Sequence, residues 1–577
     1  MSALRSFGAA RGVLRRRFSP IDIAVFTALA VAIYLLLQIG KGLTVSLSPA
    51  GVKNVSTNPD HLPYDAARSL LRMFVALFFS VAFTFVYGYA AAHSKRAEKL
   101  LVPLLDILQS VPVLGFLTFT VTAFVALFPG SELGLECASI FAIFTSQAWN
   151  LTFSFYQSEK TLPREFDELS RSLRLTKWQR FWKIEVPNGA IGLVWNGMLS
   201  FGGSWFFLVA SETISLANHN YHLPGIGSYV AAASDKANLG DVGLGIATMI
   251  IMVVGVNVLF WRPLTAWCER YRNETTEASE GQRSIVLDLL MRTALSRLLG
   301  RARVRAAESL GRWMTVLGRD GTPMPTDLGT QRAVDISLAV ALALALVFGG
   351  YEVIHYIATA RHAGLGQFPR CFLLGAATLG RVIVLVVFST VVWVPIGVWI
   401  GLNPRVARVA QPVVQVLASF PANFIFPFAT LLFIKTGLSL NIGGILLMAL
   451  GAQWYILFNT IAGAAAIPSD LRESMDVYDV HRWQRWKRLI IPAILGSYVT
   501  GGITAAGGAW NASIVAEVVQ YHGTTLTAYG LGAYIVNNSS NHARLICGIL
   551  VMSFYVVVVN RLLWRRLYRL AETRYSL

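Results

Sequence analysis

Leu162-Pro-Arg-Glu-Phe-Asp-Glu168-Leu-Ser-Arg-Ser-Leu-Arg-Leu-Thr-Lys-Trp178-Gln-Arg-Phe-Trp-Lys-Ile184-Glu-Val-Pro187 and Ile467-Pro-Ser-Asp-Leu-Arg-Glu473-Ser-Met-Asp-Val-Tyr-Asp-Val-His-Arg-Trp483-Gln-Arg-Trp-Lys-Arg-Leu489-Ile-Ile-Pro492 share one build at an offset of 305 residues. The same offset carries Gly197 to Gly502, Trp205 to Trp510, Glu212 to Glu517 and Gly227 to Gly532. Upstream, Pro103 and Pro112 return as Pro412 and Pro421 at 309; downstream, Asn257 and Trp261 return as Asn560 and Trp564 at 303. Small shifts around one long block held in register mark an internal duplication with its insertions in loops.

Within each copy, Pro163 or Pro468 suits the first turn of a helix, where a missing N–H costs nothing. Glu165 and Asp470 follow at the positive end of the helix dipole. Phe166, Leu169 and Leu173 fall at i, i+3 and i+7, and Leu471, Met475 and Tyr478 at i, i+4 and i+7. Each short helix is therefore expected to carry a narrow apolar stripe between charged flanks. A basic turn follows, then a Trp-rich helix expected to end at Pro187 or Pro492. Such a stripe outside a bilayer is best buried in a groove on a partner protein.

Around these segments the chain is apolar. Of its 577 residues 55% are hydrophobic and 14% charged, against about 25% charged in a soluble domain. Runs of about 20 apolar residues recur along it, enough to cross a bilayer, and backbone satisfied within each run makes them helices. The net charge of +18 is concentrated between spans, as in Arg11, Arg15, Arg16 and Arg17, and in Lys95 and Arg96. That is the pattern of segments facing the cytoplasm rather than of nucleic-acid binding. The apolar run after the basic start continues past Leu37 without a convincing cleavage site, so it reads as a retained first span. Four scattered cysteines give neither a disulfide framework nor metal spacing.

The expected fold is an all-α membrane protein of about 12 transmembrane helices in two parallel six-helix repeats. Residues 1–266 form the first module, with spans near 20–42, 68–93, 100–128, 134–157, 190–211 and 242–265. Residues 333–577 form the second, with spans near 333–357, 371–401, 408–434, 441–463, 494–516 and 543–566. An even number of spans puts the termini of both modules on the cytoplasmic side, which makes the repeats parallel. Between them, 267–332 is a basic linker with Leu and Arg alternating. It reads either as an amphipathic helix on the inner leaflet or as a soluble tether.

The duplicated loop resembles the signature loop of permease subunits of binding-protein-dependent ABC importers. That loop carries Glu-Ala-Ala, a Gly four residues on, and a terminal Ile-x-Leu-Pro. Here Glu168-Leu-Ser and Glu473-Ser-Met stand for Glu-Ala-Ala, and Ile184-Glu-Val-Pro187 and Leu489-Ile-Ile-Pro492 close the motifs. Arg174 and Asp479 occupy the place of the glycine. Pro103-Leu-Leu-Asp106-Ile-Leu-Gln109-Ser110-Val-Pro112 and the Trp205 to Glu212 spacing narrow the resemblance to the nitrate, sulfonate and taurine group.

The resemblance implies a translocation subunit for a small inorganic or organic anion in a bacterial cytoplasmic (inner) membrane. Glu168, Leu169, Leu173, Glu473, Met475 and Tyr478 would dock into two copies of a cytoplasmic ATP-binding-cassette ATPase. A periplasmic solute-binding protein would deliver the solute, and fusion removes the need for a second permease chain. The sequence has no Gly-x-x-x-x-Gly-Lys-Ser/Thr loop, so the chain is not expected to be an enzyme or to hold a cofactor; ATP and Mg would sit on the partners.

Polar residues inside spans are costly, which makes them pathway candidates: Ser110, Gln147, Asn196 and Trp205 in the first module, and Ser419, Gln453, Trp510 and Asn511 in the second. The plainer reading joins neighbouring helices through them. Glu212 and Glu517, retained in both halves, are placed near the outer mouth, either gating it or capping a re-entering loop that holds Gly225, Gly227, Gly530 and Gly532. His219 and His222 lack two further ligands for a metal site and read as a hydrated loop. The alternative class, a secondary transporter or channel of two helical repeats, would need intramembrane ion sites, and paired acidic residues are sparse.

Overall fold

The computed structural model describes residues 56–268 and 366–574, apart from 174, 217–218 and 522, with a few short stretches between 286 and 358. The expected first span of each module (20–42 and most of 333–357) and nearly all of the linker lie outside the described residues. In the first module the helices are α1 (Leu62–His93), α2 (Lys95–Ser110), α3 (Val113–Leu127), α4 (Leu133–Lys160) and the short α5 (Arg164–Ser172). A long α6 (Lys177–Glu212) leads to strands β1 (Thr213–Leu216) and β2 (His219–His222), then α7 (Ile226–Asp235) and α8 (Leu239–Cys268).

The second module repeats this order. Its helices are α9 (Gln367–Leu402), α10 (Pro404–Ser419), α11 (Ala422–Thr436), α12 (Leu440–Ala465), the short α13 (Ser469–Val477) and α14 (Trp483–Ala516). Strands β3 (Val518–Tyr521) and β4 (Thr524–Thr527), α15 (Leu531–Asn537) and α16 (His542–Ala571) follow. Among the described residues, α1, α6, α8, α9, α12, α14 and α16 are long and apolar enough to cross a membrane. The pair α10–α11, bent by 77°, makes up to eight. The expected span 408–434 is thus a broken one, and 100–128 is likewise two helices, parted at Val111 and Pro112.

The described residues form two compact units that do not divide at the repeat. One holds Gln157–Trp195 and the described residues from Gly255 to Cys268; the other holds the rest of the two modules. In the larger unit Leu374, Val382, Leu447, Ala505, Trp510 and Leu531 centre a core of the second module, and Leu117, Phe206 and Phe207 of the first pack against it.

Three local findings correct the sequence reading. The Trp-rich helices do not end at their prolines. Five-residue π-turns at Phe181–Glu185 and Trp486–Ile490 lie just before Pro187 and Pro492, where Val186 N–H and Ile491 N–H bond five residues back to Phe181 O and Trp486 O and the helix runs on through the proline. A second pair of π-turns, Asn257–Trp261 and Asn560–Trp564, also repeats. Pro163 and Pro468 cap their helices from outside rather than opening the first turn. The segment holding His219 and His222 is strand rather than loop: β1 pairs antiparallel with β2, Thr213 opposite His222, and β3 with β4, Val518 opposite Thr527. Burial pushes the His222 imidazole below its usual pKa range.

In the first module α4 and α6 are joined by a ladder of side-chain hydrogen bonds. Ser139 meets Ser211 at 2.8 Å and Ser146 meets Ser204 at 2.7 Å; Asn150 donates to Ser200 at 3.2 Å and Asn196 to Ser154 at 3.1 Å. Each step along one helix is matched by an equal step back along the other, the register of an antiparallel pair. At the same register α12 and α14 carry Gly444, Gly451, Tyr455 and Asn459 against Ala516, Ala509, Ala505 and Gly501. Both devices let helices associate where no hydrophobic driving force exists between them: interhelical hydrogen bonds in one module, and in the other Gly or Ala at every position but Tyr455 and Asn459.

Candidate functional site

The first loop is positioned by its own charges. Arg180, in the opening turn of α6, reaches Asp167 on α5 at 2.6 Å and the buried Glu185 at 2.7 Å. Thr176 and Gln179 form a reciprocal cap that starts α6. In the second loop Arg485, the repeat of Arg180, reaches Asp476 on α13 at 2.6 Å. Glu168 and Glu473 are exposed. The expected stripes stand largely uncovered: Leu169 is 47% and Leu173 60% exposed, and Tyr478 and Val477 are each 80% exposed. Met475 instead turns partly inward, against the cluster around Ile467 and Leu489.

Both short helices end alike. Leu175 N donates to Ser170 O and Val480 N to Met475 O, each at 3.0 Å, the long closing bond that a left-handed residue beyond a helix end commonly accompanies. In the second loop that residue is Asp479, at φ 46°. This is the place of the family glycine, and Asp is among the few residues that adopt this conformation readily. Arg174, its partner in the first loop, lies outside the described residues.

At the opposite end of α6, Glu212 is fully buried and accepts three hydrogen bonds through its carboxylate. Its carboxylate accepts from Arg72 Nη1 at 2.8 Å, Ser69 Oγ at 2.5 Å and the Gly227 N–H at 2.6 Å. Arg72 also grips Glu136 through Nε and Nη2, each at 2.6 Å. Arg68, buried one turn earlier, donates to the same Glu136, and Asp65 is buried on the same helix. In the second module Glu517 accepts from Arg381 Nη1 at 2.7 Å, Thr378 Oγ1 at 2.8 Å and the Ala533 N–H at 3.0 Å. Arg381 Nη2 donates to Asn441 Oδ1 and Tyr529 O, each at 2.8 Å. Each cluster ties a long helix to the segment after a hairpin and pairs a backbone N–H there, Gly227 in one and Ala533 in the other, which an apolar setting requires. A Cβ at Gly225 or Gly530 would strike the carboxylate, so both copies keep glycine there.

The remaining candidates disperse. Gln147 is buried near Ser80, and Gln453 accepts from Trp393 Nε1 at 2.9 Å. Asn196 belongs to the ladder. Trp205 is buried edge-on to Phe201, and Trp510 stacks on Tyr555. Asn511 donates back to Gly507 O at 3.2 Å. Ser110 ends α2, and its side chain lies outside the described residues. Ser419 sits at the 77° break between α10 and α11. Sequence reasoning missed Arg68, Arg72, Glu136 and Arg381.

The sequence model of one family, binding-protein-dependent transport system inner membrane component, matches this chain twice, at residues 84–262 and 393–575. A nitrate import permease of Leptolyngbya laminosa is 25% identical over 203 residues, 35% of this chain and 69% of that protein. A bicarbonate transport system permease of Synechococcus elongatus is 24% identical over 185 residues, 32% of this chain and 60% of that protein. The taurine transport system permease of Escherichia coli is 27% identical over 206 residues, 35% of this chain and 69% of that protein. The two family matches together span more than half of the 577 residues, and the chain therefore belongs to the binding-protein-dependent inner-membrane permeases, as two fused modules of a multi-pass transport subunit.

Proposed function

We propose that this chain forms the pathway by which a small anion enters a bacterial cell, driven by two copies of a separate ATP-binding-cassette ATPase. ATP and its Mg ion bind there, and this chain performs no chemistry of its own. The duplicated loop carries the reading. Each copy presents apolar side chains on a short charged helix, Leu169 and Leu173 in one and Val477 and Tyr478 in the other, all exposed. Two such faces call for two partner grooves, each taking the apolar side of a short helix. The loops and both termini lie on the cytoplasmic side, and the Glu212 and Glu517 clusters at the outer end. A binding protein delivers the solute there. Nitrate, bicarbonate and taurine are the substrates in the relatives' names, and a small oxyanion is the chemistry they share.

Replacing Glu168 and Glu473 together by Lys is expected to abolish solute-stimulated ATP hydrolysis in membranes while the chain stays inserted at normal levels. Unchanged stimulation in that double variant would remove the coupling assignment. Uptake that persists without the ATPase would favour a secondary transporter.

A further inference from the structure

Two hydroxyl groups where the modules meet have no hydrogen-bond partner among the described residues: Ser419 Oγ and Tyr455 Oη. Both abut consecutive glycines of the other module. A Cβ on Gly202 would fall 2.5 Å from Ser419 Oγ, and one on Gly203 would collide with Tyr455 Oη. The glycine pair repeats at the same offset as Gly507 and Gly508 on α14, where the surroundings differ. A Cβ on Gly507 would meet nothing within 4 Å, and one on Gly508 would meet the Tyr455 ring at 3.7 Å. Tyr455 therefore lies between the two glycine pairs, its hydroxyl toward α6 and its ring edge toward α14. Its counterpart at offset 305, Asn150, does not do this, being held by Ser200 at 3.2 Å and approached by Gln109 at 3.5 Å.

We infer that Tyr455 is the closing residue of the solute pathway, and that its hydroxyl with that of Ser419 gives the passing solute its hydrogen-bond donors. The inference rests on the reading of this chain as a permease and names the contact point. The four glycines leave α6 and α14 without side chains at these positions, and the Tyr455 hydroxyl and ring lie against one glycine of each pair. Open space beside Gly507 leaves room for that ring to swing. A hydroxyl is both donor and acceptor; two that are unsatisfied against consecutive glycines suit a small solute rich in acceptor oxygens. They add no fixed charge that would hold it, which favours release. The ladder of the first module, by contrast, spends its polar groups on its own helices.

The test uses the full-length chain reconstituted with its ATPase subunits and binding protein, with nitrate, bicarbonate and taurine as probes. Tyr455→Phe keeps the ring and loses the donor; KM for the transported probe is expected to rise about tenfold, one good hydrogen bond's worth, with kcat within about twofold. Tyr455→Ala removes the plug, and vesicles are expected to leak nitrate without ATP. Unaltered KM in Tyr455→Phe together with tight Tyr455→Ala vesicles would overturn the inference, provided both variants melt at the wild-type temperature. If the wild-type complex carries none of the three probes while Tyr455→Ala vesicles leak, the gate stands and the anion reading fails. If it carries none and Tyr455→Ala vesicles stay tight, both fall.

Discussion

Glu136 and Asn441 stand at the same place in the two modules, 305 residues apart, and each grips the buried arginine of its own module. The exchange of Glu for Asn is accompanied by a second one. Arg68, which donates to Glu136, has Ala377 as its counterpart at the upstream offset of 309, the offset that also relates Arg72 to Arg381 and Ser69 to Thr378. The first module thus has a bonded cation and anion, Arg68 and Glu136, where the second has Ala377 and Asn441, and it also buries Asp65 where the second has Leu374.

This pairing predicts a strongly coupled double mutant. Glu136→Asn alone takes from buried Arg68 the carboxylate it donates to and is expected to cost about 3–5 kcal/mol, the usual penalty for breaking a buried pair. Arg68→Ala alone leaves Glu136 and Glu212 sharing a single guanidinium and is also destabilising. The double variant puts the second module's residues at both of these positions and is expected to return to within about 1 kcal/mol of wild type. Thermal melting of the three variants in detergent gives the cycle, and simple additivity of the two single effects would refute the exchange.

The duplication, the loops and most spans were legible because Pro, Trp and Gly keep their spacing and apolar runs need no partner to be recognised. The buried clusters were not. A span drawn from Arg68 puts that residue at a membrane edge, where a charge is unremarkable, whereas Pro59 begins the apolar helix nine residues earlier. What makes Arg72 a site residue is the convergence of α1, α4 and α6 on it, which no period along one helix encodes. A signal existed all the same: Ser69 to Thr378 and Arg72 to Arg381 share the offset of Pro103 to Pro412. The π-turns were hidden because a proline usually stops a helix. The second hairpin had its mark in Gly523, at φ 74° between Val-Val and Thr-Thr, a glycine suited to a tight two-residue turn.

Asp479 turns the second loop at φ 46° where the family resemblance expects glycine. Asp479→Gly is expected to be tolerated, shifting loop stability by no more than about 1 kcal/mol. Asp479→Val puts a β-branched side chain in the left-handed region and is expected to cost about 1–2 kcal/mol, paid locally, because the residue is exposed. Hydrogen exchange of the Val480 amide, which closes the turn on Met475 O, reads this directly. Exchange should accelerate roughly five- to thirtyfold in the valine variant and little in the glycine one. Equal exchange in both would show that the turn does not depend on the residue at 479.

Asn196 and Gly501 occupy one register position in the two helix pairs and are predicted to respond oppositely to alanine. Asn196 donates to Ser154 at 3.1 Å, and such an interhelical bond is worth about 0.6 kcal/mol. Asn196→Ala removes it, so a small loss is expected. At Gly501 a Cβ would fall 2.8 Å from the Tyr455 carbonyl oxygen and 2.8 Å from Asn459 Cβ. The carbonyl is helix backbone and cannot step aside, so Gly501→Ala forces α12 and α14 apart and is expected to cost about 1–3 kcal/mol. The separation would also shift Tyr455, so transport should fall further than the loss of folded protein alone explains. Thermal melts and uptake measured on both alanine variants separate these effects. A Gly501→Ala variant as stable as Asn196→Ala would mean that the second module does not depend on close backbone approach, and that its small residues are incidental to how α12 and α14 associate.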